Sequence, residues 1–155
     1  MRKAPKTLLL LLLSPALAWA QSREETFAFI DREIRSLETR TYFVRELSLS
    51  ADGATFTYRK RVTHSRGPDK GLVIPLKDVD IFCATCHHPE GYDTYDLKVR
   101  TRGKDATLTY NHLPYRGTKN LVRGLLDPRK AKALDQAFNR LIRLARGSQD
   151  PFPVP

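Results

Sequence analysis

The spacing of apolar residues changes period twice along this chain, and that change limits the fold more than any other feature. Phe27, Ile30, Ile34 and Leu37 recur every three or four residues, the interval that lines one face of a helix. Phe43, Leu47 and Leu49, then Phe56, Tyr58, Lys60 and Val62, alternate instead, as they do in a strand with one buried face. Helical spacing returns with Leu134, Ala137, Phe138, Leu141, Ile142 and Ala145. A helix, about five antiparallel strands and a second helix make an α+β domain. Its sheet is expected to curl or form an open barrel, with the C-terminal amphipathic helix covering the open apolar face.

Local signals set the boundaries. Ser22, with Glu25 three residues on, is a capping box that starts a helix over about Arg23 to Glu38. Asp52-Gly53 is a tight-turn pair that folds the next two alternating runs into a hairpin. A loop from Ser65 to Lys70, containing Gly67-Pro68, precedes the short strand Leu72-Val73-Ile74, which Pro75 confines to a sheet edge or a strand end. Tyr95, Leu97 and Val99 alternate, as do Ala106, Leu108 and Tyr110, and the turn Arg102-Gly103-Lys104-Asp105 between them predicts a second hairpin. Leu113 to Asn120 reads as a polar loop, and Leu121 to Leu126 is apolar but too short to assign. Asp127 as N-cap, Pro128 at the first helical position and Gly147 beyond the last turn bound the final helix. Its polar face carries Arg129, Lys130, Lys132, Arg140, Arg143 and Arg146.

The ends bear on compartment. Residues Met1 to Ala20 have the form of a secretory signal: basic Arg2, Lys3 and Lys6, the apolar run Leu8 to Leu13, and the small-residue ending Ala18-Trp19-Ala20. Cleavage before Gln21 would leave one domain over 21–147 and an extended proline-rich tail over 148–155. No cysteine stands at the cleavage point to take a lipid, and no segment is long and apolar enough to span a bilayer. A soluble protein of the bacterial periplasm is expected. The mature chain would keep 24 of the 27 basic residues against 17 acidic ones and would lose Met1 and Trp19, the only methionine and tryptophan. A basic surface in that compartment suits an acidic redox or structural protein partner, and nucleic acid is not expected there.

The two cysteines stand together in "DIFCATCHHPEGYD", as Cys83-Ala84-Thr85-Cys86-His87. C-x-x-C-H is the attachment sequence of haem c: two thiols at this spacing add to the two vinyl groups of one porphyrin, and the following histidine reaches the iron. The stretch from Cys83 to Gly91 resembles the corresponding segment of small c-type cytochromes, with His88 where they commonly have glycine. The resemblance implies thioethers at Cys83 and Cys86 and an iron bond from His87. With no methionine in the mature chain, the sixth iron position would fall to a histidine or stay open. His112 is the first choice and His64 the alternative, because His88 is too close to His87 to reach the opposite face. Other uses of the pair remain: a Cys83-Cys86 disulfide, thiol exchange with His87 lowering a thiol pKa, or zinc with two histidines. Tyr92, Tyr95, Tyr110 and Tyr115 lie around the motif and could wall a cofactor pocket or pack across strands.

A second resemblance covers more of the chain. The run "LSLSADGATFTYRKRVTHSRGPDKGLVIPLKDVD", with "DPRKAKALDQAFNRLIRLARG" after further strands, is similar to small bacterial domains of pleckstrin-homology-like fold. It spans much of Leu47 to Gly147 and implies a binding or scaffold module with no catalytic residues. No paired carboxylates, Ser/His/Asp set or glycine-rich phosphate loop points to an enzyme. The preferred reading is an exported mono-haem protein for electron transfer or haem-based sensing. The alternative is a cofactor-free module of the pleckstrin-homology-like kind, stapled by a Cys83-Cys86 disulfide.

Overall fold

The Ser22 hydroxyl accepts from the Glu25 N–H at 3.1 Å, and the Glu25 carboxylate accepts from the Ser22 N–H at 2.8 Å, so the capping box starts α1 (Arg23–Arg35) where the spacing places it. The computed structural model describes residues 22–40, 42–64, 66–84, 94–125 and 127–147, with 82–84 described by backbone alone. The expected signal, 1–20, and the expected tail, 148–155, lie outside the described residues. α1 ends one turn before Glu38. The Leu37 and Glu38 N–H groups reach back only to Ile34 and Arg35, and the Glu38 carboxylate accepts from Val44 N–H at 2.9 Å, which turns the chain into the sheet.

β1 (Tyr42–Leu49) and β2 (Thr55–Val62) form the expected hairpin. Asp52 organises its turn, accepting from Ser50 Oγ at 2.6 Å and from Ala54 N–H at 3.0 Å. Gly53 follows at φ +70°, a conformation that side chains other than glycine rarely adopt, and it sits directly under the Arg23 side chain. The predicted inward face of β1 needs correction at Phe43, which points outward and is 36% exposed. The β1–β2 register shifts between Val44 and Glu46. The extra residue changes the parity of the strand, so that Val44 and Leu47, three apart, both enter the core.

Among the described residues eight strands form two antiparallel sheets that do not close into a barrel, where about five strands were expected. One has the order β1-β2-β3-β6-β7, with β3 (Lys70–Pro75), β6 (Leu108–Tyr110) and β7 (Leu113–Tyr115). The other has the order β4-β5-β8, with β4 (Val79–Ala84), β5 (Tyr95–Thr101) and β8 (Thr118–Leu125). β3 pairs on both sides, so Pro75 marks its end and not an edge.

The second predicted hairpin does not form. β5 uses both of its edges on β4 and β8, and the turn around Gly103 carries the chain over to the other sheet, where β6 fits between β3 and β7. The expected polar loop 113–120 is instead β7, a corner and the start of β8. Gly117 and Thr101 hold that corner: Gly117 N–H donates to Thr101 Oγ1 at 2.9 Å, and Thr101 N–H to the Gly117 carbonyl at 3.1 Å. The unassigned piece 121–126 supplies the end of β8. It shows no alternation because two irregularities in the β5–β8 register let Leu121, Val122 and Leu125 all be buried.

α2 (Pro128–Ala145) begins as predicted, with Asp127 accepting from Arg129 and Lys130 N–H at 2.8 and 3.3 Å. Leu134, Phe138 and Leu141 are buried on the sheets, and Phe138 meets Phe56 edge to face at 5.2 Å between ring centres. The polar face is less exposed than its composition suggests. Lys130 donates to Ser36 Oγ at 2.8 Å and pairs with Glu33 at 3.5 Å, joining the two helices. Arg140 and Arg143 are half-buried, and Arg146 is bound to β4. Only Arg129 and Lys132 of that set are exposed. No helix among the described residues is long and apolar enough to cross a membrane.

Candidate functional site

β4 brings Cys83 to one end of the three-stranded sheet. Its backbone pairs there with Leu97 of β5, and Leu97 pairs in turn with Val122 of β8. One residue on, Ala84 pairs with Asp96, whose carboxylate accepts from Gly124 N–H at 2.9 Å. Gly124 has φ +68°, and this is where the β5–β8 register slips so that Tyr95 meets Leu125. β4 is described as far as Ala84, and β5 begins at Tyr95, opposite the β8 segment Val122, Arg123, Gly124 and Leu125.

Those four residues form one wall of a cavity of about 410 Å³. Leu37 and Thr39, behind α1, together with Tyr42, Lys60 and Val62 complete it. The volume falls within the ~300–1,000 Å³ range of small-molecule sites. Leu37, Val62, Val122 and Leu125 give it an aliphatic side, and Lys60 supplies an ammonium from the inward-facing row of β2, below Phe56 and Tyr58.

Lys60 is the chemically unusual group. Its ammonium lies 5.7 Å from the ring centres of both Tyr42 and Tyr58, whose hydroxyls hydrogen-bond to each other. Among the described residues no carboxylate comes within ion-pairing distance of it. Burial, aided by the positive charges of Lys70 and Arg123, pushes its pKa down to about 8. The two ring contacts favour the charged form by ~0.5–1 kcal/mol each at most at a partly open site, which does not reverse that direction. Burial also raises both phenol pKa values, so Tyr42 and Tyr58 stay neutral. At the rim, Asn120 presents its amide oxygen to the Arg123 guanidinium.

The residues singled out in the sequence fall in different places. Cys83 is in β4, a strand that the apolar spacing does not predict, whereas Cys86, His87, His88 and Tyr92 lie outside the described residues. His64 is exposed in the turn two residues after Val62, the last residue of β2. His112 is exposed in the β6–β7 turn with φ +68°. It borders a separate depression of about 50 Å³ shared with Arg59, Asp69, Val73 and Asn111. Tyr110 and Tyr115 pack on each other at 6.3 Å, with Lys119 over both rings. Among the described residues no group of three or more His, Cys, Asp and Glu side chains could hold a metal ion.

Comparison with protein-family models, with curated proteins and with solved structures gave no match for this chain. Its chemistry is therefore read from its own residues. Sequence reasoning passed over Tyr42, Lys60 and Arg123 as a set. A signal was present for Lys60: a lysine in the alternating row that otherwise holds Phe56, Tyr58 and Val62 is a charge placed on the buried parity.

Proposed function

We propose that the chain is an exported mono-haem c-type protein, carrying haem on Cys83 and Cys86 with His87 on the iron, and that it works in electron transfer or haem-based sensing. The observation that carries this reading is the position of the two strands on either side of the motif. β4, which bears Cys83, pairs with β5, and β5 begins at Tyr95 opposite Leu125 and pairs through Leu97 with Val122, two residues that wall the 410 Å³ cavity. The donor set suits the group. The apolar walls match a porphyrin body, and Lys60 and Arg123 match the charge of its propionates. Once bound, the haem would supply a one-electron iron centre or a ligand-binding one.

Attachment itself asks little of the fold. Each thiol adds across a vinyl C=C bond, its sulfur taking one carbon and its hydrogen the other, so nothing is lost and no oxidant is consumed. A second histidine would be needed if the haem iron were to take two protein ligands. Of the two candidates, His112 borders the other depression and His64 follows the cavity-lining Val62 by two residues, and either would be tested by substitution to alanine. The exposed Arg129 and Lys132 on α2 suit an acidic partner protein.

The test is covalent haem in protein exported by a host with c-type maturation. Denatured protein should retain haem. Cys83→Ala and Cys86→Ala should each impair attachment, and His87→Ala should leave thioethers but alter the iron spectrum. Retention indifferent to both cysteines would refute the reading.

A further inference from the structure

We infer that the Lys60 cavity is a site for a carboxylate borne on an apolar body, the carboxylate meeting Lys60 and Arg123 and the body lying against Leu37, Val62, Val122 and Leu125. An ammonium set in an aliphatic recess has lost much of its hydration, and among the described residues it finds two neutral phenols but no counter-ion. An anion of matching size would restore that balance. Charges facing Lys60 sharpen the preference. Lys70 of β3 and Arg123 of β8 are positive and Tyr42 and Tyr58 are neutral, while the Glu38 carboxylate, bonded to the Val44 N–H, acts on the two phenols without forming an ion pair with Lys60. One half-buried ammonium and one rim guanidinium suit a single carboxylate, and the aliphatic side formed by Leu37, Val62, Val122 and Leu125 suits an apolar body.

That chemistry has two sources: a propionate of haem held by Cys83 and Cys86, which rests on the proposed function, or a free amphipathic carboxylate, which does not. Octanoate is a suitable probe. The full chain, exported by a host lacking c-type maturation, is titrated with octanoate and octanol by calorimetry, alongside K60Q and the rim variant R123Q. Octanoate should bind at least about tenfold more tightly than octanol, and K60Q should lose about tenfold or more. R123Q, altered at an exposed position that leaves the fold intact, should lose a smaller factor. Binding to Lys60 should also take up protons near pH 8 to 9, because a bound anion raises a depressed lysine pKa; calorimetry in buffers of different ionisation enthalpy reads this.

Haem-loaded protein separates the sources. Exclusion of octanoate identifies the porphyrin as the natural bearer of the carboxylate, and retained binding identifies a diffusible one. If the protein never takes haem, the proposed function falls while the octanoate titration still decides the inference. It is overturned if octanoate does not bind, if octanol binds equally well, or if K60Q and R123Q bind octanoate as the parent does.

Discussion

Arg146, just past the end of α2, donates from Nη2 to the main-chain carbonyl of Val79 at 2.6 Å. The same guanidinium reaches the Asp80 carboxylate at 3.2 Å and, through Nε, the Lys77 carbonyl at 3.3 Å. β4 is an edge strand, so one row of its carbonyls lacks a strand partner, and Arg146 covers the first of them. The clamp fixes the strand that bears Cys83. Arg146→Ala should cost about 1–3 kcal/mol in denaturant unfolding. It should also speed amide exchange in β4 more than in β2, and uniform exchange across both sheets would argue against a local clamp.

Phe138 is buried between α2 and the five-stranded sheet, edge to face with Phe56, which itself meets Phe27 of α1 at 6.2 Å. Three aromatic rings thus connect both helices to β2. Phe138→Ala should lower stability by about 3–5 kcal/mol, a large part of the ~5–15 kcal/mol typical of a domain. Urea titration of the two proteins checks this, and a loss below about 1 kcal/mol would remove Phe138 from the core.

Both terminal helices were legible because capping is local. Ser22 with Glu25, and Asp127 with Pro128, need only neighbours within one turn. The first hairpin was legible for the same reason. What failed depended on contacts distant in sequence. Tyr95–Val99 and Leu108–Tyr110 look like hairpin arms, but β4 and β8 compete for β5 from both sides. Parity also broke where strands bulge, at Arg45 and around Leu121, and so Phe43 was placed on the wrong face. The cysteine segment was legible as chemistry, whereas the cavity around Lys60 was not. Its walls come from α1's exit, β1, β2 and β8, which only the fold brings together.

Gly53 should tolerate no side chain for two separable reasons. Its φ of +70° disfavours any β-carbon, and an added β-carbon would lie 2.4 Å from the Arg23 side chain. Gly53→Ala should cost about 1–2 kcal/mol. Adding Arg23→Ala should recover the steric part and leave the conformational part. Complete recovery in the double variant would mean that backbone conformation contributes nothing.

Lys60 predicts a pH dependence. Its folded pKa of about 8 lies below the ordinary 10.5, so between those values the unfolded chain binds more protons. Stability should therefore rise as pH climbs from about 8 toward 10, before ionisation of Tyr42 and Tyr58 in the unfolded chain begins to oppose folding. Lys60→Met should be about 1–3 kcal/mol more stable than the parent at pH 7 and should lack the rise. A parent and variant with parallel pH profiles would place Lys60 in water.

The central claim concerns what Cys83 and Cys86 carry. The most direct measurement is the intact mass of the denatured protein after export in a host with c-type maturation. Addition of two thiols to two vinyl groups predicts a mass equal to the mature reduced chain plus one complete haem, and a coloured protein. A colourless product two hydrogens lighter than the reduced chain would contradict the account and identify the pair as a disulfide.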